Sequence, residues 1–306
     1  MTTFAVVITN YNYQSFVAEA IESVLRQTHA ARQIIVIDDG STDGSRQLLQ
    51  EKFGDDSRIS LVFSENGGQL AAFQRGMSLV SSTVTCFLDA DDRWGPSYLE
   101  QIARIYDQRP DIGFVFSDII LFGNEQAHLR FAPRMVDLGY TAVSTYALTY
   151  WYGAPTSALS MRSAVATWAL SLPDELARIW RLSADNCLVY GASIQGARKC
   201  YVPTGQVEYR IHGKNGWWSQ RGDTEIYHNR LRSRGLIGHY ARAAGLDDSC
   251  LELAKLEYKT KPAPDWSETR RYMEVCWRDR ASIFKKVERS LSIMKLYFRA
   301  NQRAHR

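Results

Sequence analysis

Val84-Thr85-Cys86-Phe87-Leu88-Asp89-Ala90-Asp91-Asp92 decides how this chain is read. Five apolar or β-favouring residues run straight into acids, the pattern of a buried parallel strand that delivers carboxylates to a sheet edge. Strand side chains alternate, so Asp89 and Asp91 are expected on one side with Ala90 opposite. Carboxylates that close together repel unless a cation or hydrogen-bond donors separate them. Mg²⁺ or Mn²⁺, held by one or two carboxylates and substrate phosphates, suits such oxygen ligands. The plain alternative is a solvated acidic turn capping a helix whose first turn holds Pro96.

The flanking sequence repeats a strand-then-helix beat. Strands are expected at 4–9, 33–38, 59–63, 84–88 and 113–117, and helices at 16–27, 45–53, 70–79 and 98–106. That alternation predicts an α/β fold, a mostly parallel Rossmann-like sheet flanked by helices, with ligands beyond the carboxyl ends of the strands. Four polar clusters fall at that end: Thr9 to Asn12, Asp38 to Asp43, Asn66 to Gln69, and the acids from Asp89.

Composition agrees with an enzyme-sized globular chain. The 306 residues are 45% apolar and 12% aromatic, enough for a large core. A net charge of +4 gives no reason to expect nucleic acid and does not exclude an anionic substrate. The five cysteines form no CxxC pair, against a disulfide framework or zinc site and for a reducing compartment. No basic region precedes Phe4 to Ile8 and no apolar run reaches membrane-spanning length, so a cytoplasmic protein is expected.

Residues 4–118 resemble the family-2 glycosyltransferases, nucleotide-diphospho-sugar transferases of GT-A fold. The carriers are VVITNYNY (6–13), AIESVLRQT (20–28), IIVIDDGSTDGS (34–45), ENGGQLAAFQRG (65–76) and FLDADDRWGPSYLE (87–100). Asn10 stands where many members have proline, and Phe73-Gln74 where many have Arg-Asn. The resemblance implies an inverting, metal-assisted transfer of sugar from a nucleoside diphosphate donor, UDP above all, to a glycan or lipid-linked hydroxyl. It implies that Asp89 contacts ribose and that Asp91, in a DXD motif, holds Mn²⁺ or Mg²⁺ on the diphosphate. Asp39 would accept the uracil imide N–H, a charge-assisted bond; otherwise Asp38 and Asp39 only shape the Gly40 turn. Thr9 would donate to the base and Tyr11 cover its face, unless both merely end a strand. Gln69 or Arg75 would help neutralise the diphosphate.

Beyond residue 118 the beat is lost. Leu121 to Val143 reads as a loop over the site, 144–151 and 162–170 as helices, and 157–161 as a strand. Trp151, Tyr152, Trp168 and Trp180 would floor a sugar subsite or pack in the core. Asp185 opens a helix running to about Ser193, where relatives carry the carboxylate taken as catalytic base; Ala184 replaces the preceding Glu. An acid in a first turn also serves the helix dipole. Asp92 is the competing base. Tyr209 to Asn215 resembles a tail motif, which would bring His212 to the metal or diphosphate and Arg210 or Lys214 to the leaving group. Trp217-Trp218 would form a loop or acceptor platform.

The expected organisation is a GT-A unit over 1–220, its donor half 1–118 and acceptor half 119–220, then a helical extension over 221–306. In the last helix, 282–300, Ile283, Val287, Leu291, Met294 and Phe298 share one face, with lysines and arginines over much of the rest. Such a helix lies on an anionic membrane, packs on its own domain, or joins a homodimer. Rival readings are a binding protein that has lost catalysis and a sugar nucleotidyltransferase, though TNYNYQSF lacks the basic Gly-rich phosphate loop of the latter.

Overall fold

The computed structural model describes residues 2–213 and 222–304, with side chains to residue 300. Lys214, Trp217 and Trp218 lie outside the described residues. The first half follows the expected beat: β1 (Phe4–Asn10), α1 (Val17–Leu25), β2 (Gln33–Asp38), α2 (Ser45–Phe53), β3 (Ile59–Phe63), α3 (Gln69–Ser78) and β4 (Val84–Asp89). Then come β5 (Arg93–Trp94), α4 (Tyr98–Gln108) and β6 (Ile112–Ser117). Every residue of β1 is buried, as an apolar strand covered on both faces by helices requires.

The segment expected to loop over the site carries three short strands: β7 (Ile119–Gly123), β8 (Ala127–Leu129) and β9 (Val136–Gly139). Its short runs carry no long periodicity, so tertiary pairing decides them. There follow α5 (Ala142–Leu148), β10 (Leu159–Arg162), α6 (Ser163–Leu170), α7 (Asp174–Ile179), α8 (Ala184–Ile194), β11 (Arg198–Val202) and β12 (Val207–Ile211). The C-terminal part is helical: α9 (Asp223–Ala243), α10 (Ala254–Lys259), α11 (Trp266–Arg278) and α12 (Ile283–Ala304).

The main sheet has eight strands in the order β3-β2-β1-β4-β10-β6-β11-β9. Strands β3 to β4 are parallel, β10 runs antiparallel between β4 and β6, and β9 closes the far edge antiparallel to β11. A smaller sheet, β5-β12-β7-β8, lies at the end of β4, where β5 follows the acids directly. It holds β12 beside β7 in parallel and brings the tail motif to the acidic turn.

Buried apolar residues form two clusters that both cross the 220/221 division. Leu236, Ile237 and Tyr240 of α9 join the main core, and the Tyr240 hydroxyl donates to the Ala169 carbonyl at 2.5 Å. Val143 and Ala147 of α5 share a second cluster with Tyr258, Tyr272, Val275 and Ile293. All five cysteines are buried free thiols. No described helix is long and apolar enough to cross a membrane.

Candidate active site

The turn after β1 is tied to the turn after β2. Asn12 accepts from the Thr42 amide at 2.7 Å, and Asn10 donates to Asp38 at 2.8 Å. Asp38 is wholly buried and accepts from the Ser41 amide, while Asp43 accepts from Ser45 at the start of α2. Asp38 is therefore the residue that shapes the turn, and Asp39 points elsewhere. Its two oxygens accept the Gly67 and Gly68 amides at 2.9 and 2.7 Å, with Arg75 nearby at 3.4 Å. Carboxylate oxygens have two acceptor sites each, so capacity remains. Gly68 sits at φ 88°, where a Cβ would come within 2.2 Å of Arg181; only glycine fits.

These turns border a cavity of about 850 Å³. Its lining includes Thr9, Tyr11, Asp39, Gln69, Asp89, Asp91 and Asp185, seven of the residues singled out from sequence. The eighth, His212, touches the site through Asp91, with Nε2 2.9 Å from Oδ2. Its ring stacks on Phe16 at 5.5 Å and meets Tyr13 edge-on at 5.6 Å.

Asp89 and Asp91 do share the cavity, but a turn places them rather than strand alternation: β4 ends at Asp89, whose carbonyl accepts the Asp92 amide at 3.1 Å. Gln69 links two sides of the site, donating to Asp89 at 2.8 Å and accepting the Ala184 amide at 3.2 Å. Burial, then the charge of Asp91, push the Asp89 carboxyl up to about 8. Asp92 turns away from the cavity and is buried. It accepts from Ser157 Oγ at 2.5 Å and from the Arg210 amide at 2.8 Å, clasping β12 to the acidic turn. Burial followed by its two acid neighbours raises its pKa also.

Asp185 sits in the first turn of α8 on the cavity wall, accepting the Asn186 amide at 2.8 Å. Arg210 does not line the cavity. Its guanidinium donates to the Asp91 carbonyl at 2.8 Å, pairs with Glu19, and lies between the rings of Phe16 and Phe122. Phe73 is also absent from the site: it packs on Phe87 in the core at 4.8 Å, and Gln74 donates to the Leu170 carbonyl. Of the four aromatics considered for a sugar subsite, Trp151 alone lines the cavity. Tyr152 and Trp180 are core, and Trp168 packs on Tyr240.

Two tyrosines were missed. Tyr13 and Tyr209 line the cavity, and burial with the nearby acids raises both phenols, keeping them protonated donors. Tyr209 feels Asp92, Asp89, Asp91 and Asp185 together. Both lay inside quoted motifs, but spacing along a strand or turn gives no sign of four acids around one hydroxyl.

Among the described residues no group of three or more His, Cys, Asp or Glu side chains is arranged to hold a metal ion. The crowded acids at the end of β4 can contribute one or two oxygen ligands, the rest falling to phosphates.

The glycosyl transferase family 2 model matches residues 5–165. An uncharacterised glycosyltransferase of Nostoc sp. is 35% identical over 227 residues, covering 72% of this chain and 68% of that protein. The putative glycosyltransferase EpsH of Bacillus subtilis is 25% identical over 257 residues, covering 78% of this chain and 67% of its own length. The putative teichuronic acid biosynthesis glycosyltransferase TuaG of the same organism is 35% identical over 98 residues, 32% of this chain and 39% of its own. Among solved structures, S. aureus TarS 1–349 in complex with UDP superposes with a TM-score of 0.58 at 12% identity, covering 97% of this chain and 91% of that one. The same fragment in complex with UDP-GlcNAc matches equally, at 0.58. That likeness establishes a GT-A fold, and with the family match over residues 5–165 and the Nostoc relative it leads to one conclusion: the chain belongs to glycosyl transferase family 2.

Proposed function

We propose that the protein is an inverting glycosyltransferase that moves a sugar from a UDP-sugar to a hydroxyl of a glycan or lipid-linked acceptor. The observation carrying this reading is the one cavity that gathers Asp39, Asp89, Asp91 and Asp185 from three separate segments, the turns after β2 and β4 and the start of α8. Asp39, anchored by two backbone amides, presents its remaining acceptor sites to the imide edge of uracil. Tyr11, exposed at the cavity, covers the base, and Thr9 donates to it. Asp89, oriented by Gln69, meets the ribose. The UDP complexes of TarS support this donor class.

Asp91 would hold Mn²⁺ or Mg²⁺ together with the donor phosphates. The fit rests on its oxygen chemistry and on the crowding: burial first, then the charge of Asp91, push Asp89 up, and a cation would relieve the second. Such a metal would supply positive charge against the departing diphosphate. His212 fixes the Asp91 carboxylate, and Arg210 fixes the turn by its bond to the Asp91 carbonyl. Asp185 takes the proton of the acceptor hydroxyl as that hydroxyl's oxygen attacks the anomeric carbon, and the bond to the departing UDP breaks on the opposite face. Buried free thiols fit a reducing compartment, so we place the reaction in the cytoplasm.

The test is UDP release from a panel of UDP-sugars with Mn²⁺, Mg²⁺ or EDTA, beside thermal shifts with UDP, dTDP and GDP. Stabilisation by UDP with Mn²⁺ and metal-dependent hydrolysis of a UDP-sugar are expected. Turnover unaffected by EDTA removes the metal, and stabilisation by GDP alone removes the uracil reading.

A further inference from the structure

The last helix was expected to place Ile283, Val287, Leu291, Met294 and Phe298 on one face. It does, but that face is not the one the fold uses. Ile293, wholly buried, with Leu296, joins the second core, and Tyr297 packs on Trp266 at 5.5 Å. At 3.6 residues per turn, Ile293 lies on the far side of the helix from Val287 and Leu291. Ile283 is 69% exposed and Phe284 87%, and Val287, Leu291 and Phe298 are exposed as well. Trp277, exposed at the end of α11, accepts from Lys286 Nζ at 3.2 Å through its carbonyl and so sits beside the start of this stripe. The result is one helix with two apolar faces, one spent on the core and one turned to water.

The charges around the outer face decide what covers it. Residues 278–299 hold seven lysines and arginines; Arg278, Arg280 and Arg289 pair with Glu274, Asp248 and Asp279, which leaves Lys285, Lys286, Lys295 and Arg299 against Glu288. Lys285, Lys295 and Arg299 are exposed. A second copy laid on this stripe by a twofold axis would set these positive charges against one another. An anionic bilayer complements both the charge and the apolar stripe, and aromatic residues such as Phe284 and Trp277 suit its interface. No described helix is apolar enough to span a membrane, so the helix would lie in the surface plane.

We propose that α12 docks the protein on the surface of an anionic phospholipid bilayer through Phe284, Leu291 and Phe298, with Lys285 and Lys295 on the headgroups. This inference goes beyond the transfer reaction and stands without it, because binding is read independently of turnover.

The experiment is co-sedimentation of the full chain with vesicles of phosphatidylcholine alone or with about one third phosphatidylglycerol. Binding to the anionic vesicles, and its loss in high salt, are expected. Phe284→Glu with Leu291→Glu should abolish binding at an unchanged melting temperature, since both side chains already face water. Lys285→Gln and Lys295→Gln should each weaken it about fivefold. Absence of binding, or binding indifferent to these variants, overturns the proposal. A dimer in sedimentation equilibrium that the Glu pair dissociates, without vesicle binding, overturns it in favour of self-association.

Discussion

His212 Nε2 lies 2.9 Å from Asp91 Oδ2, closing the end of β12 onto the acidic turn after β4 across 121 residues of chain. Phe16 and Tyr13 hold the imidazole from two sides, so the Asp91 carboxylate is oriented before any donor arrives. Outer groups that orient a metal ligand are typically worth about 10–100-fold in metal affinity or activity. His212→Ala is therefore expected to raise the Mn²⁺ concentration for half-maximal turnover by about that factor. A metal titration of activity checks it, and an unchanged midpoint removes His212 from the site.

Asp185 and Asp92 competed for the role of base on sequence alone, and their surroundings differ. Asp185 lines the cavity, whereas Asp92 is buried with one oxygen on Ser157 and the other on the Arg210 amide. Asp185→Asn should lower kcat by about 10²–10⁴-fold with little change in UDP binding. Asp92→Asn should instead lower the melting temperature, because an amide leaves one of those donors without an oxygen acceptor. Kinetics and thermal unfolding of both variants decide between them; normal turnover in Asp185→Asn transfers the role.

The crowded acids also predict how stability depends on pH. Asp89 binds its proton up to about pH 8 in the folded chain, against a usual value of 3.8. Between those limits the folded state holds a proton that the unfolded chain has released, so stability falls as pH rises. The melting temperature of the ligand-free protein should decline from about pH 4 to about pH 8 through this group, and Asp89→Asn should flatten the decline. Melting curves across that range test it; equal slopes in both proteins refute the assignment.

Glu257 joins the C-terminal helices to the catalytic part. Its carboxylate accepts the Val143 and Ser144 amides at 2.8 and 3.1 Å, capping α5 from α10, and takes the Tyr272 hydroxyl at 2.5 Å. Glu257→Ala leaves the Val143 and Ser144 amides without their acceptor, while the Tyr272 hydroxyl can still donate to Ser144 Oγ at 3.2 Å, and should cost about 2 kcal/mol or more. Glu257→Gln keeps one acceptor oxygen and should cost less. Urea unfolding measures both, and a neutral Glu257→Ala would show that the two parts are not joined there.

Local pattern was enough for the donor half. An apolar run ending in acids, repeated turn residues and 3.6-residue stripes depend on neighbours in sequence, so β1 to β4 and their helices, and the clusters at their ends, were legible. Thr9, Tyr11, Asp39, Gln69, Asp89 and Asp91 fall in such clusters and meet in one cavity with Asp185, which only the family resemblance singled out. The strands β7 to β9 were not legible, because three- to five-residue segments are strands only where a partner strand exists. Nor could sequence say that Asp92 turns inward to Arg210, that Arg210 is committed to Glu19 and the Asp91 carbonyl, or that Tyr209 lines one cavity with Asp89 and Asp91. Those facts arise from contacts between segments more than a hundred residues apart. The apolar stripe of α12 was plain in the sequence; that it faces water was decided by packing, which buried Ile293 on the other side.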